Sequence, residues 1–256
     1  MPRPALAVDV DGSLFKSSLL EKAVARAIDR GLFDAQAFNE VEDRRRQWQD
    51  KNNEGVYKSY VKRLVGQFVT QIAGIEVSQF KEEVIDWVIA EHQVRRFAFP
   101  RRLIRALQQS HEKVAISGSP EFLVSPFLSD LPIDRTYGAT FEQVDGYFTG
   151  VATPVGNKAD ILRRLEEASV ITKPGSVAMG DTVSDEPMLD YVSQGGYPIM
   201  FNASRTLTNR GKRKGWLRVG EVKDQITALE PDQSYGYREV HPDVIIGRIK
   251  RASTSI

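Results

Sequence analysis

Apolar positions fall into two patterns along this chain. Short unbroken runs bounded by turn residues occur at Ala5 to Val10, Lys113 to Ser117 (KVAIS), Ser176 to Gly180 (SVAMG) and Pro198 to Phe201 (PIMF). Such runs predict strands buried on both faces. Between them the spacing turns helical: RRLIRALQQS precedes the second run, EFLVSPFL follows it, and KADILRRLEEA stands before the third. Strand and helix in alternation predict an α/β fold with a doubly wound parallel sheet.

From Ser17 to about Arg96 the alternation stops, and only helical periodicity is found. Tyr57, Tyr60, Val61, Leu64, Val65, Phe68, Val69 and Ile72 recur at three- and four-residue steps, which reads as the packing face of one long helix. The stretch is expected to be an inserted all-helical cap. Gly31, Gly55 and Gly74 serve as candidate breaks, and Pro100 opens the helix that returns to the core. TYGATFEQVDGYFTG predicts a hairpin turning at Asp145-Gly146. The end of the chain, from about Lys223, carries Pro231, Ser234, Gly236 and Pro242 and reads as an irregular tail. The expected division is a discontinuous core at 1–16 and 97–222, a cap at 17–96 and a tail at 223–256.

Composition narrows the functional classes. The 256 residues carry 35 Lys plus Arg against 34 Asp plus Glu, a formal charge of +1. No global field would recruit nucleic acid or an anionic membrane, so a small-molecule partner is the better expectation. There are no cysteines, which excludes disulfides, thiolate metal sites and cysteine nucleophiles. Three scattered histidines, His92, His111 and His241, argue against a His-rich metal site or a Ser-His-Asp triad. The N-terminus lacks the apolar stretch of a signal peptide, and no run reaches the roughly 18 apolar residues of a membrane span. A soluble cytoplasmic protein is expected.

The chemistry-bearing residues sit where the first, second and third runs end. Asp9 and Asp11 follow the first, Ser117 ends the second, Asp181 and Asp185 follow the third in GDTVSDEPML, and Lys158 starts the helix between. In an open parallel sheet, ligands bind beyond the carboxyl ends of the strands. Four carboxylates in one crevice would repel unless a hard cation joined them, and Mg²⁺ suits carboxylate oxygens together with water and substrate phosphate. A carboxylate can attack phosphorus while a second protonates the leaving oxygen and later deprotonates water, roles that Asp9 and Asp11 can fill. Ser117 and the nearby backbone N–H groups of Gly118 and Ser119 would hold the phosphoryl oxygens, and Lys158 would offset the developing charge.

DVDGS, ISGSP, NK and GDTVSDEPM stand in an order and spacing that resembles the haloacid dehalogenase superfamily of phosphatases, over about residues 5 to 217. SGSPEFLVSPFL, ATFEQVDGYFTG and YPIMFNASRTLTNRGKRKGW are similar to its phosphoserine-phosphatase-like branch. The resemblance implies Asp9 as nucleophile, Asp11 as general acid and base, and Ser117 and Lys158 as phosphate holders. It further implies a metal held by Asp9, the backbone carbonyl of Asp11 and Asp181, with Asp185 in support. Ser13 stands where threonine is commoner, and SGSP replaces an SGGF-like run, a departure that weakens transfer of phosphoserine itself as substrate. Asp11 argues against a dehalogenase, whose chemistry has no alkoxide to protonate.

Several residues carry two readings. Glu21 is a candidate substrate contact, yet Ser18 to Glu21 also forms the pattern of a helix capping box. Arg45, with Arg44 and Arg46 beside Trp48, is a candidate for an anionic substrate group, yet Glu42 and Asp43 make the same stretch a solvated face. The basic run Arg210, Lys212, Arg213 and Lys214 is expected to be a solvated loop. The expected activity is Mg²⁺-dependent phosphomonoester hydrolysis through an aspartyl-phosphate, on a small phosphorylated metabolite. Phosphotransfer by the same residues, a receiver-like regulatory domain and a non-catalytic binding protein are the rivals.

Overall fold

The structure is a computed structural model describing residues 2–47, 54–232 and 236–253. Among these residues nine strands form one sheet in the order β4-β3-β2-β1-β5-β6-β7-β8-β9. They are β1 (Arg3–Val8), β2 (Glu112–Pro120), β3 (Arg135–Val144), β4 (Tyr147–Thr153), β5 (Ile171–Gly180), β6 (Tyr197–Phe201), β7 (Leu217–Val222), β8 (Gln225–Pro231) and β9 (Tyr237–Val240). From β3 across to β7 all pairings are parallel, while β4, β8 and β9 join antiparallel. The chain builds outward from β1 to one side and then returns to β5 on the other, so the strand order reverses beside β1.

Alternation along β1 feeds two cores. Leu6 and Val8 face one and Ala5 and Ala7 the other, all fully buried. The second core is closed by α8 (Lys158–Glu167), α9 (Glu186–Ser193) and α10 (Arg205–Arg213). The first is closed by the helical insert, by α6 (Ala98–Ala106) and by α7 (Glu121–Phe127). Helices on both faces are what a sheet of all-apolar parallel strands requires.

The insert runs through α1 (Leu19–Asp29), α2 (Asn39–Gln47), α3 (Glu54–Ile72), α4 (Val77–Phe80) and α5 (Asp86–His92), the last two joined by a π-helical turn at Lys81–Ile85. Gly31 and Gly74, at φ +71° and +80°, end α1 and α3 as glycine can. Gly55 instead lies in the first turn of α3. The chain leaves and rejoins the core side by side: Lys16 N–H donates to Arg95 O at 3.0 Å and Phe97 N–H to Leu14 O at 2.9 Å. Trp48 and Ser234 lie outside the described residues.

The β3–β4 hairpin turns at Asp145 and Gly146, φ +51° and +83°, the left-handed pair of a tight two-residue turn. The C-terminal segment does not form the irregular tail expected. β7 and β8 pair through a turn at Lys223 and Asp224, φ +49° and +64°, β9 adds to the edge, and α11 (Pro242–Ser253) packs Ile245, Ile246 and Ile249 into the first core. The expected boundary at residue 222 therefore falls inside a hairpin. Neither Lys nor Asp at a left-handed turn gives the Asn-Gly or Asp-Gly signal by which hairpins are read, and strands exposed on alternate residues lack an unbroken apolar run.

Candidate functional site

The acids gather at the carboxyl ends of β1 and β5, beside the reversal of strand order. Asp9 directly follows β1, and its N–H donates to Met179 O of β5 at 2.9 Å, which fixes one loop against the other. Lys158 is the first residue of α8, behind the Asn157 cap, and is buried. Its Nζ donates to Asp9 Oδ1 at 2.5 Å and to Asp185 Oδ1 at 2.7 Å. The other Asp185 oxygen accepts from the backbone N–H groups of Asp181 and Thr182, both at 3.0 Å, so this carboxylate shapes the loop as well as holding the lysine.

One oxygen each from Asp9, Asp181 and Asp185 lies within 4.8 Å of the others. All three acids are buried, against one ammonium. Burial pushes Asp9 well up from the ordinary carboxylate range, with Asp185 and Asp181 adding to the rise and Lys158 opposing it. Burial would lower the Lys158 ammonium, but Asp185 and Asp9 outweigh it and hold the group protonated. The surplus negative charge and the purely oxygen donor set suit a hard divalent cation. Gly12 gives this cluster room, since a Cβ there would sit 2.4 Å from Asp181 Oδ2.

Asp11 is held apart from the acid cluster. Its Oδ2 accepts from the Ser117 and Ser119 hydroxyls at 3.0 and 2.6 Å, and its Oδ1 accepts from the Leu19 N–H at the start of α1 at 2.6 Å. Burial raises its pKa while those three donors pull it back. Of the residues expected at the metal, the carboxylates of Asp9, Asp181 and Asp185 converge, while Asp11, expected to offer its backbone carbonyl, turns its carboxylate to the serines.

Above the acids lies a cavity of about 410 Å³ lined by Asp9, Asp11, Gly118, Ser119, Lys158 and Asp181 below and by residues of α1 and α3 above. Glu21 lines it. Ser18 Oγ accepts from Glu21 N–H at 3.4 Å, half of a capping box, but the Glu21 carboxylate accepts from Tyr60 OH at 2.6 Å rather than turning back to the cap. Arg45 is exposed on α2, pairs with Glu42 at 3.1 Å and is not part of the lining. Arg210 and Lys214 of the basic run pair with Glu186 at 2.6 and 2.9 Å. Tyr57, Val61 and Val65 line the cavity although periodicity assigned them to packing. The signal that could have separated them is their offset from the Tyr60, Leu64, Phe68, Ile72 row.

A doubly wound sheet with an acid-rich crevice at its reversal point and a helical insert over it defines the class of protein. The family model described as haloacid dehalogenase-like hydrolase matches residues 6–190, and the chain belongs to that family. It is similar to a phosphoserine phosphatase of Streptomyces coelicolor, with 33% identity over 140 residues, covering 53% of this chain and 32% of that protein, so the match spans about a third of the relative's length. Among solved structures, a phospho-aspartyl intermediate analogue of phosphoserine phosphatase shares the fold at TM-score 0.59 and 16% identity, over 82% of this chain and 91% of that one. Cytosolic 5'-nucleotidase IIIB bound to cytidine does so at 0.61 and 12% identity, over 99% and 87%. Among the described residues no helix is long and apolar enough to cross a membrane.

Proposed function

We propose that the protein is a metal-dependent phosphomonoesterase that works through an aspartyl-phosphate on Asp9, with the nine-stranded sheet and its helices, β8, β9 and α11 included, as catalytic core and the 17–96 insert as its cap. The observation that carries this reading is the pairing of two unlike carboxylates across one cavity: Asp9 beside Lys158, and Asp11 on two serine hydroxyls. Family membership supports it, as does the activity named for the Streptomyces relative.

An Asp9 oxygen attacks phosphorus, and the leaving alkoxide takes the proton held by Asp11, giving free alcohol and aspartyl-phosphate. The Asp11 carboxylate then accepts a proton from water, which attacks phosphorus, releases phosphate and restores Asp9. Burial favours the protonated form of Asp11 needed in the first step, and its three donors favour the anion needed in the second. Lys158 offsets charge on the phosphoryl oxygens, and Ser117 with the backbone around Gly118 and Ser119 orients them. Asp9 and Asp181 would hold Mg²⁺, with Asp185 steadying their loop; the ion supplies charge neutralisation at the phosphoryl group. The substrate proposed is a small phosphorylated molecule, and the location proposed is the cytoplasm.

The test is phosphate release from a panel of phosphomonoesters, with Mg²⁺ or EDTA. Asp9→Asn is expected to lower turnover by at least about 10³-fold, as removal of a nucleophile does, and EDTA to abolish it. Release that survives both would refute the reading.

A further inference from the structure

The face of α3 that periodicity presents as one stripe divides into two rows in space. Tyr60, Leu64, Phe68 and Ile72 are buried, none more than 5% exposed, and belong to the first core. Tyr57, Val61 and Val65, four residues apart, are only partly buried and form the wall of the cavity above the acids. With Leu20, Leu64 and Val155 they give an apolar surface to the same cavity that Asp9 and Asp11 line.

The polar groups on the same wall are already engaged or stand at its rim. Glu21 gives one oxygen to Tyr60 OH at 2.6 Å. Lys58 has a side chain 70% exposed and pairs with Glu54 at 2.8 Å, and Lys62 is exposed. Among the described residues no arginine lines the cavity, so the bidentate fork suited to a carboxylate is missing. About 410 Å³ lies within the ~300–1,000 Å³ of small-molecule sites, whose walls are mainly apolar with few polar anchors.

Resting on the phosphatase reading, we infer that the substrate is a phosphomonoester whose alcohol has an apolar alkyl or aryl body, selected by Tyr57, Val61 and Val65, and not a phosphorylated amino acid. An apolar body displaces water from this wall and gains with each buried carbon. A zwitterionic body would strip water from two charges and find in return one shared carboxylate and, at the rim, two solvated lysines.

The experiment is a series of methyl, propyl, pentyl and phenyl phosphate beside phosphoserine, with Mg²⁺, read as kcat/KM. In parallel, calorimetry measures binding of the matching alkylphosphonates, which needs no turnover. Each added methylene is expected to raise kcat/KM and affinity about threefold to fourfold, and Val61→Asp to flatten both series. Flat series in the wild type, or phosphoserine as the best ester, overturn the inference and leave the phosphatase reading standing. No hydrolysis with graded phosphonate binding overturns the phosphatase reading and keeps the apolar wall as a ligand site. No hydrolysis with flat binding overturns both.

Discussion

Gly12 has φ +82° and stands against Asp181, so any side chain there meets both backbone strain and a carboxylate. Gly12→Ala is expected to displace Asp181 and weaken divalent-ion affinity by about 10–100-fold, as loss of ligand support does; titration calorimetry with Mg²⁺ measures it. His111 offers a second test away from the crevice. It is fully buried, with Nε2 against Gly175 O at 3.2 Å and Nδ1 against Ser110 Oγ at 2.9 Å. Burial lowers its pKa from 6.5 to about 4, and Lys113 and Arg3 add to the fall. The unfolded chain therefore binds a proton between those values that the folded chain refuses, so stability falls as pH drops through this window. The loss approaches about 3 kcal/mol at its lower end. Denaturant melts from pH 7 to 4 should show that slope, and His111→Gln should remove it. At this scale the sequence was informative about which residues gather in the crevice and less so about what each one touches. Asp9, Asp11, Ser117, Asp181 and Asp185 announce themselves by standing at the ends of apolar runs, and Lys158 by opening the helix between two of them. That Asp11 belongs to the serines and not to the other acids depends on loop geometry that no spacing encodes.

At the scale of elements, legibility followed burial. β1, β2, β5 and β6 are sealed on both sides and read as continuous apolar runs. β7 and β8 show one face to solvent, and each carries a buried acid. Glu221 accepts from the N–H groups of Ala98 and Phe99 at 2.8 Å each, capping α6, and Glu230 is held by Arg238 and Arg248. Buried glutamates interrupt the hydrophobic pattern, so a structural element looks like a polar tail. α11 puts the point to measurement, because Ile249 is fully buried in the first core. Ile249→Ala should cost about 2–5 kcal/mol, the range for truncating a core isoleucine, in urea unfolding monitored by circular dichroism. A loose tail would give no change.

On the scale of the whole molecule, near-balanced charge leaves recognition to the crevice and to what closes over it. The insert is joined to the core by more than the paired crossing at Leu14 to Lys16 and Arg95 to Phe97. Phe68 and Phe80 of the insert, both in contact with Phe33 behind them, stack and edge against Phe122 of α7, Phe141 of β3 and Phe148 of β4. Backbone bonds cross the same seam: Gly74 N–H donates to Phe148 O, Phe148 N–H to Ile75 O and Val77 N–H to Gly146 O, at 2.7 to 3.0 Å.

That seam determines how the molecule breathes. Rings shared between the insert and the β3–β4 hairpin couple the two, so any opening of the crevice is expected to carry the hairpin with the helices. In native-state hydrogen exchange the amides of Gly74, Val77 and Phe148 should then lose protection together with those of α3, at one common opening free energy below that of β1 and β5. Separate exchange of the hairpin and the helices would mean that the seam parts first.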